Sequence, residues 1–135
     1  MADTPMNIFD IAGRAMSAQL VRLNATASNM ANAGNVTGTE KEAYPAIKPV
    51  FRSVTEKPGL STVKVENVVT TDAKPVKRYE PDHPLADKDG NVWEAAVDSS
   101  AELVDMIEAA RMYQNNVQVL QTAKSLMLDT VRMGK

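Results

Sequence analysis

At 135 residues and a net charge of −2, the chain has room for one ordinary domain and lacks the basic balance that nucleic acid or an anionic membrane surface would attract. It has no cysteine, which removes disulfides, thiolate zinc sites and cysteine nucleophiles together. Apolar residues make up 44% and charged residues 24%, a globular balance, but aromatics are only 4%, little ring surface for a compact enzyme core.

The first twenty residues carry Asp3, Asp10 and only Arg14, without the basic start and unbroken apolar run of a secretory signal. No window reaches the apolar length of a membrane span. The expectation is a chain that leaves the cytoplasm, if it leaves, without a cleaved signal, and that does not insert in a membrane. Thr4-Pro5 reads as a helix cap followed by a first-turn proline. Phe9, Gly13, Met16, Leu20, Leu23, Ala27 and Met30 then recur in alternating steps of four and three, a heptad seam. Gly34 suits a left-handed stop, so residues 1–34 are predicted to form an N-terminal helix. Asn29 and Asn32 share one face near its end, although asparagine is a poor helix-interior residue. Two readings stand: local capping with solvent contact, or amides that bond to neighbouring helices and fix their register.

Six of the seven prolines lie between Pro45 and Pro84, which rules out a long helix there. Residues 35–98 are predicted to form a small β-rich module. Val63 and Val65 alternate with Lys64 and Glu66, and the run continues through Val68 and Val69. Asp89-Gly90 is a hairpin-turn signal, with Val92 and Trp93 after it. His83 is the one histidine and, beside Asp82 and Pro84, reads as a loop residue rather than a ligand. Asp87-Lys88-Asp89-Gly90 resembles the middle of a calcium loop. With Gly90 at the sixth loop position, however, Leu85 and Ala96 fall where carboxylates are required. No paired carboxylates, phosphate loop or serine elbow appear, so no catalytic residue, cofactor or metal is expected and the chain is not read as an enzyme.

Residues 99–135 are predicted to form a second helix, roughly 50 Å long, opened by a capping box at Ser99-Ser100-Ala101-Glu102. Leu103, Met106, Ala110, Tyr113, Val117, Leu120, Lys124, Met127 and Val131 follow at three-four spacing. A second line, Met112, Val119, Leu126 and Met133, repeats every seven residues about 130° from the seam centre. Ile107 and Leu128 widen the seam, while Glu108 and Thr122 lie on a mainly polar face. A helix apolar over most of its circumference requires burial on most sides, more than one partner helix and the middle module supply. The fold expected is mainly α: an antiparallel pair of long N- and C-terminal helices carrying a short module of strands and turns. The second line is expected to meet other copies or other chains, which its methionines suit; the alternative is that the middle module folds back over it.

The block Ala27-Ser28-Asn29-Met30-Ala31-Asn32 resembles the N-terminal signature of the flagellar basal-body rod protein family. Asn7 to Gly13 and Ala15 to Gln19 are similar to its proximal-rod branch. So is Tyr79-Glu80-Pro81-Asp82-His83-Pro84 with Ala86-Asp87 and Gly90-Asn91-Val92, against the branch pattern Y-x-P-x-H-P-x-A-D-x-x-G-x-V. Met106-Ile107, Ala110-Arg111, Tyr113-Gln114, Asn116-Val117 and Ala123-Lys124 are similar to its C-terminal helix. Ala95-Ala96-Val97-Asp98 departs from the usual P-N-V-N, leaving Asp98 available as a cap.

The resemblance implies a structural subunit of the bacterial flagellar proximal rod, polymerising through its terminal helices into the shaft that carries motor torque. It implies copies of the chain, other rod proteins and basal-body ring and adaptor proteins as partners. It also implies type III export and a periplasmic position in the basal body. In such a tube, Met16, Leu20, Leu23, Met30 and their counterparts on the second helix would pack helices together, and Asn29 and Asn32 would lock register between subunits. Two other readings compete: a soluble coiled-coil adaptor or export chaperone, and another axial rod or hook protein. The last usually has a longer middle region.

Overall fold

The computed structural model describes residues 7–134. Two long helices, α1 (Ile8–Asn32) and α2 (Ser99–Met133), bracket five strands: β1 (Val36–Thr37), β2 (Ile47–Lys57), β3 (Leu60–Thr70), β4 (Val76–Tyr79) and β5 (Asn91–Glu94).

Helix α1 opens on a reciprocal capping box. The Asn7 side-chain oxygen accepts from the Phe9 and Asp10 N–H groups at 2.9 and 3.1 Å, and the Asp10 carboxylate takes the Asn7 N–H at 3.0 Å. The Thr4-Pro5 opening expected from the sequence lies outside the described residues. At the other end Ala33 turns extended (ψ 131°) and Gly34 takes φ +79°. The Asn35 N–H donates to the Asn32 carbonyl at 3.1 Å. Asn32 to Asn35 therefore form a type II turn, with glycine where positive φ is required.

Helix α2 is capped by Asp98, whose carboxylate accepts from Ser100 and Ala101 at 3.0 and 3.3 Å. The Ser99–Glu102 box expected from spacing is not used. A carboxylate at the positive helix end competes well with a serine hydroxyl there. Glu102 is instead buried.

Helix α1 packs against α2 on one side and against the β2–β3 hairpin on another. The contact surfaces are built from small side chains: Ala12, Ala18 and Ala25 on α1, Ala109 and Ala123 on α2. This turns α2 relative to the seam expected from large apolar residues. Met106, Tyr113 and Leu120 are half-buried, but the buried positions of α2 are Glu102, Ala109 and Ala123, whereas Leu103 and Lys124 of the expected seam are exposed. Leu20, Leu103 and Met127 are 45%, 48% and 55% exposed, whereas Met16, Leu23, Met30, Ala110 and Val117 are half-buried. Short side chains let helix backbones approach closely, and larger ones are pushed to the flanks.

β2 and β3 pair antiparallel from Ile47↔Thr70 to Lys57↔Leu60. The turn between them is Pro58-Gly59, with Gly59 at φ +80°. Pro-Gly suits a type II turn, with glycine at the position of positive φ. Asp89-Gly90, expected to be a tight hairpin turn, instead ends the 80–90 loop that joins β4 to β5. Gly90 has φ +77°, and a Cβ there would lie 3.0 Å from the Tyr79 ring and 3.1 Å from Pro81 Cβ. β5 lies between β1 and β4 in a small sheet around the fully buried Val92. Val92 and Asn29 are the largest fully buried side chains among the described residues.

Candidate assembly surface

Three segments meet at the end of α1. Asn29 is 1% exposed. Its Nδ2 donates to the Ile47 carbonyl at 2.9 Å, and its Oδ1 accepts from the Ile47 N–H and the Tyr44 hydroxyl, each at 2.9 Å. The amide thus treats one residue of β2, Ile47, as a neighbouring strand would, meeting its donor and its acceptor together. Asn32 acts locally: its Nδ2 donates to the Ser28 carbonyl at 2.9 Å and its Oδ1 accepts from the Asn35 amide at 3.0 Å. Within this chain neither amide bonds α2. Both are engaged within their own chain, Asn32 in helix-end bonding and Asn29 as a clamp on the hairpin base.

Arg22 joins α1 to α2. Its Nη2 donates to Glu108 at 2.8 Å and to Asp105 at 3.1 Å, and Lys48 Nζ of β2 lies 3.8 Å from Asp105. Burial opposes the Arg22 charge, but the Glu108 and Asp105 hydrogen bonds outweigh it and push the guanidinium pKa up. Glu108, placed on the polar face by the sequence, is therefore a helix-pairing residue. Tyr44, Arg22 and Asp105 escaped the sequence reading, because their partners are distant along the chain and show no periodicity.

The loop residues shape their own backbone. His83 Nδ1 accepts from the Leu85 N–H at 3.0 Å, and Asp87 Oδ1 accepts from Asp89 and Asn91 at 2.9 and 2.8 Å. No helix among the described residues is long and apolar enough to cross a membrane.

The apolar surface left uncovered concentrates on α2. Met112, Val119, Leu126 and Met133 are 43%, 42%, 63% and 86% exposed, and Ile107 and Leu128 lie open on the other flank of the helix. Every residue from 124 to 134 is exposed. The main contacts of α2 are with α1, and the strand module does not fold over the second line. The exposed surface totals 9413 Å². A compact monomer of this length would expose about 6,900 Å².

Two family models match the ends of the chain. The flagella basal body rod protein model matches residues 9–38, and the flagellar basal body rod FlgEFG protein C-terminal model matches residues 88–133. The first spans α1 with β1, the second β5 with α2, so they bracket the β2–β3 hairpin. The chain is 48% identical over 132 residues to the flagellar basal-body rod protein FlgC of Escherichia coli O6:H1, covering 96% of this chain and 98% of that protein. It is 47% identical over 132 residues to FlgC of Salmonella typhimurium, with the same coverage. To FlgC of Buchnera aphidicola subsp. Schizaphis graminum it is 40% identical over 134 residues, again covering 96% and 98%.

Proposed function

The chain belongs to the flagellar basal-body rod protein family, as a structural subunit of the rod, and we propose that it polymerises through its terminal helices into the tubular shaft that transmits motor torque. The observation that carries polymerisation is the exposed apolar line Met112, Val119, Leu126 and Met133 on a helix whose own chain covers one side of it. An apolar surface of that length is an interaction site. Leu103, Met127 and Leu20, half exposed in the subunit, belong to the same contact set.

Within the subunit, α1 and α2 run antiparallel. Arg22, in the second half of α1, pairs with Asp105 and Glu108 in the first turns of α2, which supports that direction. The Asn29 clamp and the Lys48–Asp105 contact tie the hairpin base to both helices, so that a load on the helices is carried into the hairpin.

The partners are copies of this chain, other rod proteins, ring and adaptor proteins at the rod base, and the type III export apparatus. The rod portion it forms lies in the periplasm, and the chain reaches it without cleavage of a signal. A density map of basal bodies purified from cells producing a tagged form of the chain tests this. The tag and the two-helix trace are expected in the proximal rod. Intact, motile basal bodies without the chain would refute the proposal.

A further inference from the structure

Gly13 lies in the second turn of α1, inside the helix, where glycine weakens it relative to alanine. A Cβ built on it would meet nothing within 4 Å among the described residues, so their packing does not require glycine there. Gly13 opens onto a groove of about 940 Å³ between α1 and the hairpin, whose apolar lining includes Phe9 and Val21 on one side and Val54, Val63 and Val65 on the other, with Asp10, Ser17 and Lys64 as polar members. The arginines at its edge are already paired, Arg14 with Glu56 at 2.8 Å and Arg52 with Glu66 at 3.7 Å. The groove offers apolar surface and close approach to a helix backbone, which is what an incoming apolar helix needs.

We propose that this groove receives the last turns of α2, residues 124–134, of a second copy of the chain. Those turns are exposed throughout and carry Leu126, Met127, Val131 and Met133. The subunit's excess surface of roughly 2,500 Å² over a compact monomer corresponds to about three per-partner faces of a standard interface. A groove beside α1 and the end of α2 are different surfaces, so the contact is heterologous. Repeated without closing into a ring, it builds an open helical filament. The proposal rests on the rod-subunit reading and names the surface that meets the end of the second apolar line.

Gly13→Leu tests it, because the free subunit has room for the side chain while the groove would be filled. The purified variant should keep or increase its helical circular dichroism and still be exported, and motility should fall to that of a strain lacking the chain. A Gly13→Leu strain that swims normally overturns the proposal. The occupant is identified by replacing Ser17 with the photo-crosslinker p-benzoylphenylalanine in basal bodies holding mixed tagged and untagged copies. Val54 serves as a second site if Ser17 variants do not incorporate. Cross-links to residues 124–134 of another copy are expected. Cross-links to a different rod protein, or to residues 1–6 of the same chain, overturn it. A chain that incorporates but cross-links elsewhere sinks this proposal alone, whereas unlabelled chain missing from basal bodies sinks the rod reading itself.

Discussion

Asn29 and Asn32 look equivalent along the sequence, yet the structure gives them unequal work. Asn29→Ala would leave the Ile47 N–H and carbonyl without their partner inside the protein, and should destabilise the free subunit by about 2–3 kcal/mol. Asn32→Ala removes bonds within one helix end and gains helix propensity, so its effect should stay within about 0.5 kcal/mol. Urea melts of the two variants check this, and equal losses would refute the clamp. The glycines separate in the same way. Gly34→Ala meets no neighbour and bears only the left-handed backbone cost, about 1 kcal/mol. Gly90→Ala adds a clash with Tyr79 and Pro81 and should cost about 2 kcal/mol or more. Thermal melts that rank them the other way would show that the 80–90 loop yields easily.

Between the helices, the contact is made by alanine. Ala109 is fully buried, so Ala109→Leu should force α1 and α2 apart and cost about 1–3 kcal/mol in the free subunit. Leu126→Asp is expected to behave oppositely. The side chain is 63% exposed, so the free subunit's melting midpoint should hardly move. In an assembled rod, however, the carboxylate would be buried without a partner. Export should continue while rods fail to grow and hooks and filaments are lost. Thr122, exposed on α2, is the matched control; Glu108 is unsuitable because it bonds Arg22. Motile Leu126→Asp cells would remove this line from the assembly surface.

For the whole molecule, the exposed area and the alanine-built core have one consequence. Burying a large aliphatic side chain contributes about 1.5–3 kcal/mol, and very few are fully buried here. The free subunit should therefore lie at or below about 5 kcal/mol of stability, the bottom of the usual range. Hydrogen exchange on verified monomer should show residues 124–134 exchanging fastest in α2 and residues 102–123 slower, with protection spreading to the end of the helix on incorporation. Strong protection of 124–134 in the monomer would mean that the helix end is stable without neighbours.

The sequence alone determined the existence and type of the main elements. Proline placement excludes a long helix between Pro45 and Pro84, alternation marks β3, and sustained apolar periodicity marks α1 and α2. These signals are local, set by backbone sterics and by the periods of 3.6 and 2. The absence of cysteine also settled which chemistries were unavailable. Only the tertiary structure decided which face of each helix is inside. Hydrophobicity favours Leu103 and Met127 for a seam, but close backbone approach selects Ala109 and Ala123. It also decided where the amides go. Asn29 finds its partner at Ile47, eighteen residues on, across a turn and an irregular segment. A hydrogen bond of that kind depends on the path of the intervening chain, which no residue pattern at either end encodes.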